Sequence, residues 1–212
     1  MGPGVDKLQQ TVAGQPLLAH SLRAFDGCPA VDEILLVGRT DRLETYREIA
    51  AKSGIRKLKA VIPGGVERQD SVWCGLEALS PSAGIVLIHD GARCCVNGDI
   101  ISRCIETARA KGAAIPACRV RDTVKKAAAD LQVEATVDRS TLWAAQTPQT
   151  FRVELIRRAY EPLIRDRIIV TDDAAAMERL GHPVWLVETS HLNLKVTIAE
   201  DLMLAETILR QV

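Results

Sequence analysis

The sequence predicts an α/β fold: a Rossmann-like, mainly parallel twisted sheet with helices on both faces, plus a protruding β-hairpin arm. Three observations predict it. Strand-length apolar runs alternate with helix-length amphipathic runs as far as Val120, the pattern of a parallel sheet wrapped by helices. Gly84-Ile85-Val86-Leu87-Ile88 is apolar at every position after the glycine, as a strand buried on both faces must be. That run stops abruptly at His89-Asp90-Gly91-Ala92-Arg93, and ligands of open α/β sheets bind beyond the carboxyl ends of strands.

Each element has its own signal. Met1 to Gln15 reads as loop, and Pro16 opens a helix with Leu17, Leu18, Leu22 and Phe25 at helical spacing. Val31–Val37 reads as a strand. Asp41–Lys52 reads as a helix stopped by Gly54, and Leu58–Ile62 as a strand broken by Pro63-Gly64-Gly65. Glu67–Leu79 is a predicted helix with Val72, Leu76 and Leu79 inward. Strand Ile85–His89, helix Ile100–Lys111 and strand Ala113–Val120 follow. Residues 121–139 alternate short β-like pieces around a polar middle, Lys125 to Asp130. They fit either an arm leaving the main body or an ordinary surface hairpin. Phe151–Tyr160 and Asp172–Leu180 read as helices, Val184–Glu188 and Leu194–Val196 as short strands, and Ala199–Arg210 as a closing helix.

Composition narrows the function. Lys plus Arg and Asp plus Glu both number 27, so no charge excess favours non-specific nucleic-acid or membrane binding. Aromatics are only 3% of residues, which argues against a base-stacking surface for single strands. The six cysteines form no Cys-x-x-Cys pair and the four histidines are scattered, so no zinc site is written here. With no signal peptide and no membrane-length apolar run, a reducing cytoplasm is expected.

Four loops after strands carry matching polar chemistry. Pro63-Gly64-Gly65-Val66-Glu67-Arg68-Gln69-Asp70-Ser71 offers glycines for close approach and a helix start that favours anions. Asp90 can hold a metal ion and Arg93 can grip phosphate. Equally, Asp90 can cap the next helix while Arg93 is a surface charge. Arg121-Asp122-Thr123 follows the next strand. Asn193-Leu194-Lys195-Val196-Thr197 sets a lysine among apolar residues, where it needs an anion or carboxylate. Thr171-Asp172-Asp173 starts a helix and also reads as a plain N-cap. No P-loop and no nucleophile elbow occur. Carboxylates, cations and hydroxyls without a nucleophile suit phosphoryl or nucleotidyl transfer, which depends on positioning and charge neutralisation.

The chain also resembles a known family. Lys7, Gly64-Gly65-x-Glu67-Arg68-x-Asp70-Ser71-Val72, His89-Asp90-x-Ala92-Arg93, Arg121-Asp122-Thr123, Thr136-Val137-Asp138-Arg139, Thr147-Pro148-Gln149, Thr171-Asp172 and Asn193-x-Lys195-Val196-Thr197 occur in order. Together they resemble the 2-C-methyl-D-erythritol 4-phosphate cytidylyltransferases over essentially the whole chain. The resemblance implies a single domain of nucleotidyltransferase type. It would transfer a cytidylyl group from CTP to the polyol phosphate with Mg²⁺ and release pyrophosphate. Lys7, Lys195 and Arg139 would be catalytic, and Asp90 would hold metal and triphosphate. Gly64, Gly65 and Ser71 would seat the nucleotide. Arg93, Thr123, Thr171, Lys195 and Arg139 would hold the polyol phosphate, with Arg139 reaching a neighbour's site in a homodimer swapped through the arm. A relative acting on ribitol 5-phosphate, or an inactive nucleotide-binding module, would carry similar motifs.

The family opens with an apolar strand and a Gly-rich loop ending Arg-Met, and Met1 stands where that methionine falls. The expectation is therefore that Met1 is an internal methionine of the reading frame. Loss of a central strand would orphan on the order of ten backbone groups at ~1–3 kcal/mol each if buried. Net stability is only ~5–15 kcal/mol. A chain starting there is expected to be poorly stable and nearly inactive.

Overall fold

The structure, a computed structural model, describes residues 6–211. The expectation about Met1 lies outside them. A 3-10 turn at Lys7–Gln9 leads into a small hairpin, β1 (Thr11–Val12) with β2 (Gln15–Pro16), where a loop was expected. Then come α1 (Leu17–Asp26), β3 (Ile34–Gly38), α2 (Leu43–Lys52), β4 (Leu58–Pro63), α3 (Arg68–Glu77), β5 (Ile85–Ile88), α4 (Gly98–Lys111) and β6 (Ala113–Arg119). The second half runs β7 (Val124–Ala127), β8 (Val133–Val137), β9 (Trp143–Ala145), β10 (Gln149–Arg152), α5 (Val153–Asp166), α6 (Asp173–Arg179), β11 (Trp185–Glu188) and α7 (Ala199–Leu209).

The α/β class holds, but the sheet is mixed rather than mainly parallel. Its largest part has the order β11-β6-β10-β5, with β9 also on β6. There β11 runs parallel to β6, while β10 runs antiparallel to both β5 and β6. The parallel pair β3–β4 forms a separate sheet, as does the antiparallel hairpin β7–β8. The reversal comes from β10. Phe151 was expected to open a helix; instead Gln149–Arg152 pairs with strands on both sides and the helix starts at Val153. Leu194–Val196 is likewise no strand. Its backbone is tied instead by the Val196 N–H donating to the Ala92 carbonyl at 2.9 Å.

Helix α5 shows why the core sits under β10. Val153, Ile156, Ala159, Tyr160 and Leu163 fall on one stripe and are buried, the last four packing with Phe151 and Met177. Each large apolar side chain so buried contributes roughly 1.5–3 kcal/mol. On the opposite face α4 buries Ile100, Ile101, Cys104, Ile105 and Ala108. The wholly buried alanines Ala113, Ala114 and Ala117 of β6 leave room for close layers. Asn97 caps α4, its side chain accepting from Ile100 N at 3.0 Å, so Asp90 is free of the capping role that the sequence left open.

Among the described residues β3 pairs only with β4, and β5 only with β10. The edges left over border a largely apolar cavity of about 720 Å³, lined by Leu35, Val37, Val86 and Ile88, with Arg68, Ser71, His89 and Asp90 also in its wall.

Candidate active site

Hydrogen bonds fix the strand end at β5. Arg93 N donates to the Asp90 carbonyl at 2.8 Å, closing a turn. Ser21 Oγ of α1 donates to the Gly91 carbonyl at 2.9 Å, and the side chain of Leu8, next to Lys7, lies against Gly91. His89 bridges the turn to the segment before β10. Its Nε2 lies 3.2 Å from the Arg93 carbonyl and its Nδ1 2.9 Å from Thr147 Oγ1. A carbonyl can only accept, so Nε2 carries the proton and Thr147 donates to a bare Nδ1, while accepting from Asp90 N at 3.0 Å. Burial pushes the His89 pKa down to about 4, so the ring is neutral at physiological pH.

Three cations converge on the Asp90 carboxylate. Lys195 Nζ lies 2.9 Å and Arg93 Nε 3.8 Å from Oδ2, and Arg68 Nε lies 3.4 Å from Oδ1. Burial would raise the Asp90 pKa, but the Lys195 hydrogen bond and charge, with Arg68 and Arg93, outweigh it and hold the carboxyl below its ordinary value. Arg93 Nη1 also donates to the Asn193 carbonyl at 2.9 Å, yet its buried Nε has no hydrogen-bond partner. That Nε faces Asp90 Oδ2 at 3.8 Å, an ion-pair contact too long for a hydrogen bond.

On the other flank, Gly65 N donates to Ser71 Oγ at 3.2 Å, and Gly64 N donates to the Gly38 carbonyl at 2.8 Å, which fixes the loop between β4 and α3. A methyl group on Gly65 would run into Asp70 Cβ, so only glycine fits there.

Of the expected site residues, Asp90, Arg93 and Lys195 meet directly, and Ser71 shares the cavity wall with Asp90. Lys7 is half-buried on the adjoining 3-10 turn. Thr123, Thr171 and Arg139 are exposed and stand outside the Asp90 cluster; the Arg139 guanidinium donates to the Arg121 carbonyl at the hairpin base. Asp172 is an N-cap, accepting from Ala175 N at 2.9 Å. Sequence reasoning missed the roles of His89, Thr147 and Asn193. Asn193 Nδ2 donates to Gln146 Oε1 and to the Thr147 carbonyl, each at 3.0 Å, joining the Lys195 segment to the floor of the site.

The residues fit a divalent cation in a limited way. Among the described residues no group of three or more His, Cys, Asp or Glu side chains could hold a metal. The Asp90 carboxylate at the strand end could serve only a divalent cation held mainly by substrate phosphates and water.

The chain's relatives point the same way. The family model for 2-C-methyl-D-erythritol 4-phosphate cytidylyltransferase (IspD) matches residues 1–211. A protein of that name from Geobacillus thermodenitrificans is 44% identical over 209 residues, covering 99% of this chain and 91% of that protein. One from Pelotomaculum thermopropionicum is 41% identical over 211 residues, covering 99% and 89%. The crystal structure of 4-diphosphocytidyl-2C-methyl-D-erythritol synthase from Anaerococcus prevotii superposes with a TM-score of 0.87 at 31% identity, covering 96% of this chain and 93% of that one. The cytidylyltransferase from Thermus thermophilus superposes with a TM-score of 0.79 at 34% identity, with coverages of 96% and 93%.

Proposed function

The chain belongs to the 2-C-methyl-D-erythritol 4-phosphate cytidylyltransferase family, and from that premise we propose which of its residues carry the reaction. The reaction is CTP-dependent cytidylyl transfer to 2-C-methyl-D-erythritol 4-phosphate in isoprenoid precursor synthesis. An oxygen of the polyol phosphate attacks the α-phosphorus of CTP, the bond to the β,γ-phosphates breaks, and pyrophosphate leaves.

Gly64, Gly65 and Ser71 seat the nucleotide. Asp90 presents its carboxylate to the triphosphate and would hold Mg²⁺, which when bound supplies charge neutralisation. Lys7 neutralises the α-phosphate, and Arg93 and Lys195 take the phosphate of the attacking alcohol; Thr123 and Thr171, exposed outside that cluster, are read as further contacts to the same alcohol. The observation that carries this reading is the convergence of Lys195, Arg93 and Arg68 on Asp90 at the end of β5. Preorganised charge of this kind is worth about 3–4 kcal/mol per contact in a transition state.

The hairpin β7–β8 is read as an arm that pairs protomers. Leu131 and Val133 are exposed large apolar residues on it, and Arg139 at its return lies outside the cluster in its own chain. A homodimer would cover the first and deliver the second to the partner's polyol phosphate. The unpaired cysteines suit the expected reducing cytoplasm. Among the described residues no helix is long and apolar enough to cross a membrane.

The test is pyrophosphate release from CTP with 2-C-methyl-D-erythritol 4-phosphate and, separately, with ribitol 5-phosphate. Release that needs the methylerythritol phosphate supports the reading. Faster release with ribitol 5-phosphate, or CTP binding without release, overturns it.

A further inference from the structure

We propose that Arg68 grips the phosphates of CTP, and that the buried residues Asp173 and Tyr160 position it. The proposal rests on the reading of the Asp90 corner as the CTP site. Arg68 is the first residue of α3, directly after the loop that carries Gly64 and Gly65. Its Nη1 and Nη2 donate to the two oxygens of Asp173 at 3.0 and 2.7 Å. Asp173 is wholly buried, and Tyr160 Oη, itself wholly buried, donates to Asp173 Oδ1 at 2.5 Å. The chain of contacts thus runs from the core of α5 through α6 to the mouth of the cavity.

A guanidinium has five N–H donors. Three point at carboxylates here, two at Asp173 and one at Asp90, which leaves two unspent. The Arg68 side chain is 38% exposed and lines the cavity wall it shares with Ser71 and Asp90. Exposed pairs such as Arg165–Asp166 hold neither end in place. A bidentate pair to a buried carboxylate fixes the plane of the guanidinium, which lysine cannot reproduce. Buried ion pairs seldom stabilise more than apolar packing would, so stability alone does not account for this one.

Geometry also separates the two phosphate sources. Arg68 approaches Oδ1 of Asp90, from the helix that carries Ser71. Lys195 and Arg93 approach Oδ2. Counting Asp90 and Asp173 against Arg68, Arg93 and Lys195, two negative charges face three positive ones, leaving the corner one charge positive before substrate enters. The Oδ1 side, with the nucleotide seat, faces the triphosphate.

Steady-state kinetics and CTP titration calorimetry on the full chain test this. Arg68→Lys should raise the CTP KM about tenfold or more, the loss of one charge-assisted fork, while the KM for methylerythritol phosphate stays within about twofold. Tyr160→Phe, which removes one hydroxyl and keeps the ring, should raise the CTP KM about threefold or more, again sparing the other substrate. Arg68→Ala strands a buried carboxylate and risks unfolding, so the double variant Arg68→Met with Asp173→Asn removes both charges together. It should bind CTP at least as weakly as Arg68→Lys. CTP binding within about twofold of wild type in the double variant, or equal losses for both substrates, overturns the proposal. If the wild-type chain binds CTP but releases no pyrophosphate, the function reading fails, and the calorimetry still decides the role of Arg68.

Discussion

Lys195 Nζ sits 2.9 Å from Asp90 Oδ2, on an irregular segment held to the Asp90 turn by a single backbone hydrogen bond from Val196 to Ala92. The Lys195 hydrogen bond and charge, ahead of Arg68 and Arg93, hold this half-buried carboxyl below its ordinary value. Lys195→Met should lower kcat/KM by roughly 10²–10³, the scale of one lost electrostatic contact. It should also change the acid limb of stability. The folded Asp90 pKa lies below its unfolded value of about 3.9. Its contribution is therefore present above pH 3.9 and lost as pH falls through the folded value. Below a pH of about 3.9 the melting temperature should drop less steeply in the variant; an unchanged slope there would remove Lys195 as the cause.

His89 has the same sign of pH dependence in a higher window. Its folded pKa of about 4 lies below the unfolded value near 6.5, so only the unfolded chain takes up a proton between them. Stability is then fully present above pH 6.5 and falls as pH drops toward 4, by about 2 kcal/mol between pH 7 and 5. His89→Asn should flatten that slope. It should also lower activity about tenfold, because the Thr147 and Arg93 carbonyl anchors of the turn are disturbed. Urea midpoints at the two pH values measure the first effect, and a pyrophosphate-release rate the second.

The elements legible in the sequence are those whose burial is decided locally. Ile85–Ile88 is apolar at every position, and α4 repeats its apolar residues at helical spacing; both form close to where the pattern puts them. Phe151 misleads because it shares helical spacing with Leu155, while its backbone is claimed by β5 and β6, partners remote in the chain. The site divides in the same way. Asp90, Arg93 and Lys195 stand out as charges among apolar neighbours. Asp173 hides as the residue after an N-cap, Tyr160 as one more apolar-stripe position of α5, and His89 as the end of a strand. Their roles exist only through partners brought by the fold.

Gly65 tests the nucleotide side. A side chain there meets Asp70 Cβ and backbone, and Asp70 accepts from Glu67 N at 3.1 Å to close the start of α3. Gly65→Ala must push the loop away from the helix end, at a cost of roughly 1–3 kcal/mol. The KM for CTP should rise about tenfold while that for methylerythritol phosphate changes little. A thermal melt and paired Michaelis constants check both; a normal CTP KM with a lowered Tm would confine Gly65 to a structural role.

The arm makes the sharpest demand, because Arg139 and Lys195 would then serve one site from two chains. Arg139→Ala should raise the KM for methylerythritol phosphate, and Lys195→Met should abolish most activity, each in its own homodimer. Unfolded and refolded together in equal amounts, the two variants form half mixed dimers by random pairing. Each mixed dimer joins one intact Lys195 to the other protomer's intact Arg139, while its second site carries both lesions. At methylerythritol phosphate concentrations far below the raised KM, about a quarter of the wild-type rate should return. If both residues serve one chain, the mixture should instead give only the average of the two single variants at every substrate concentration, and the arm would be a surface hairpin.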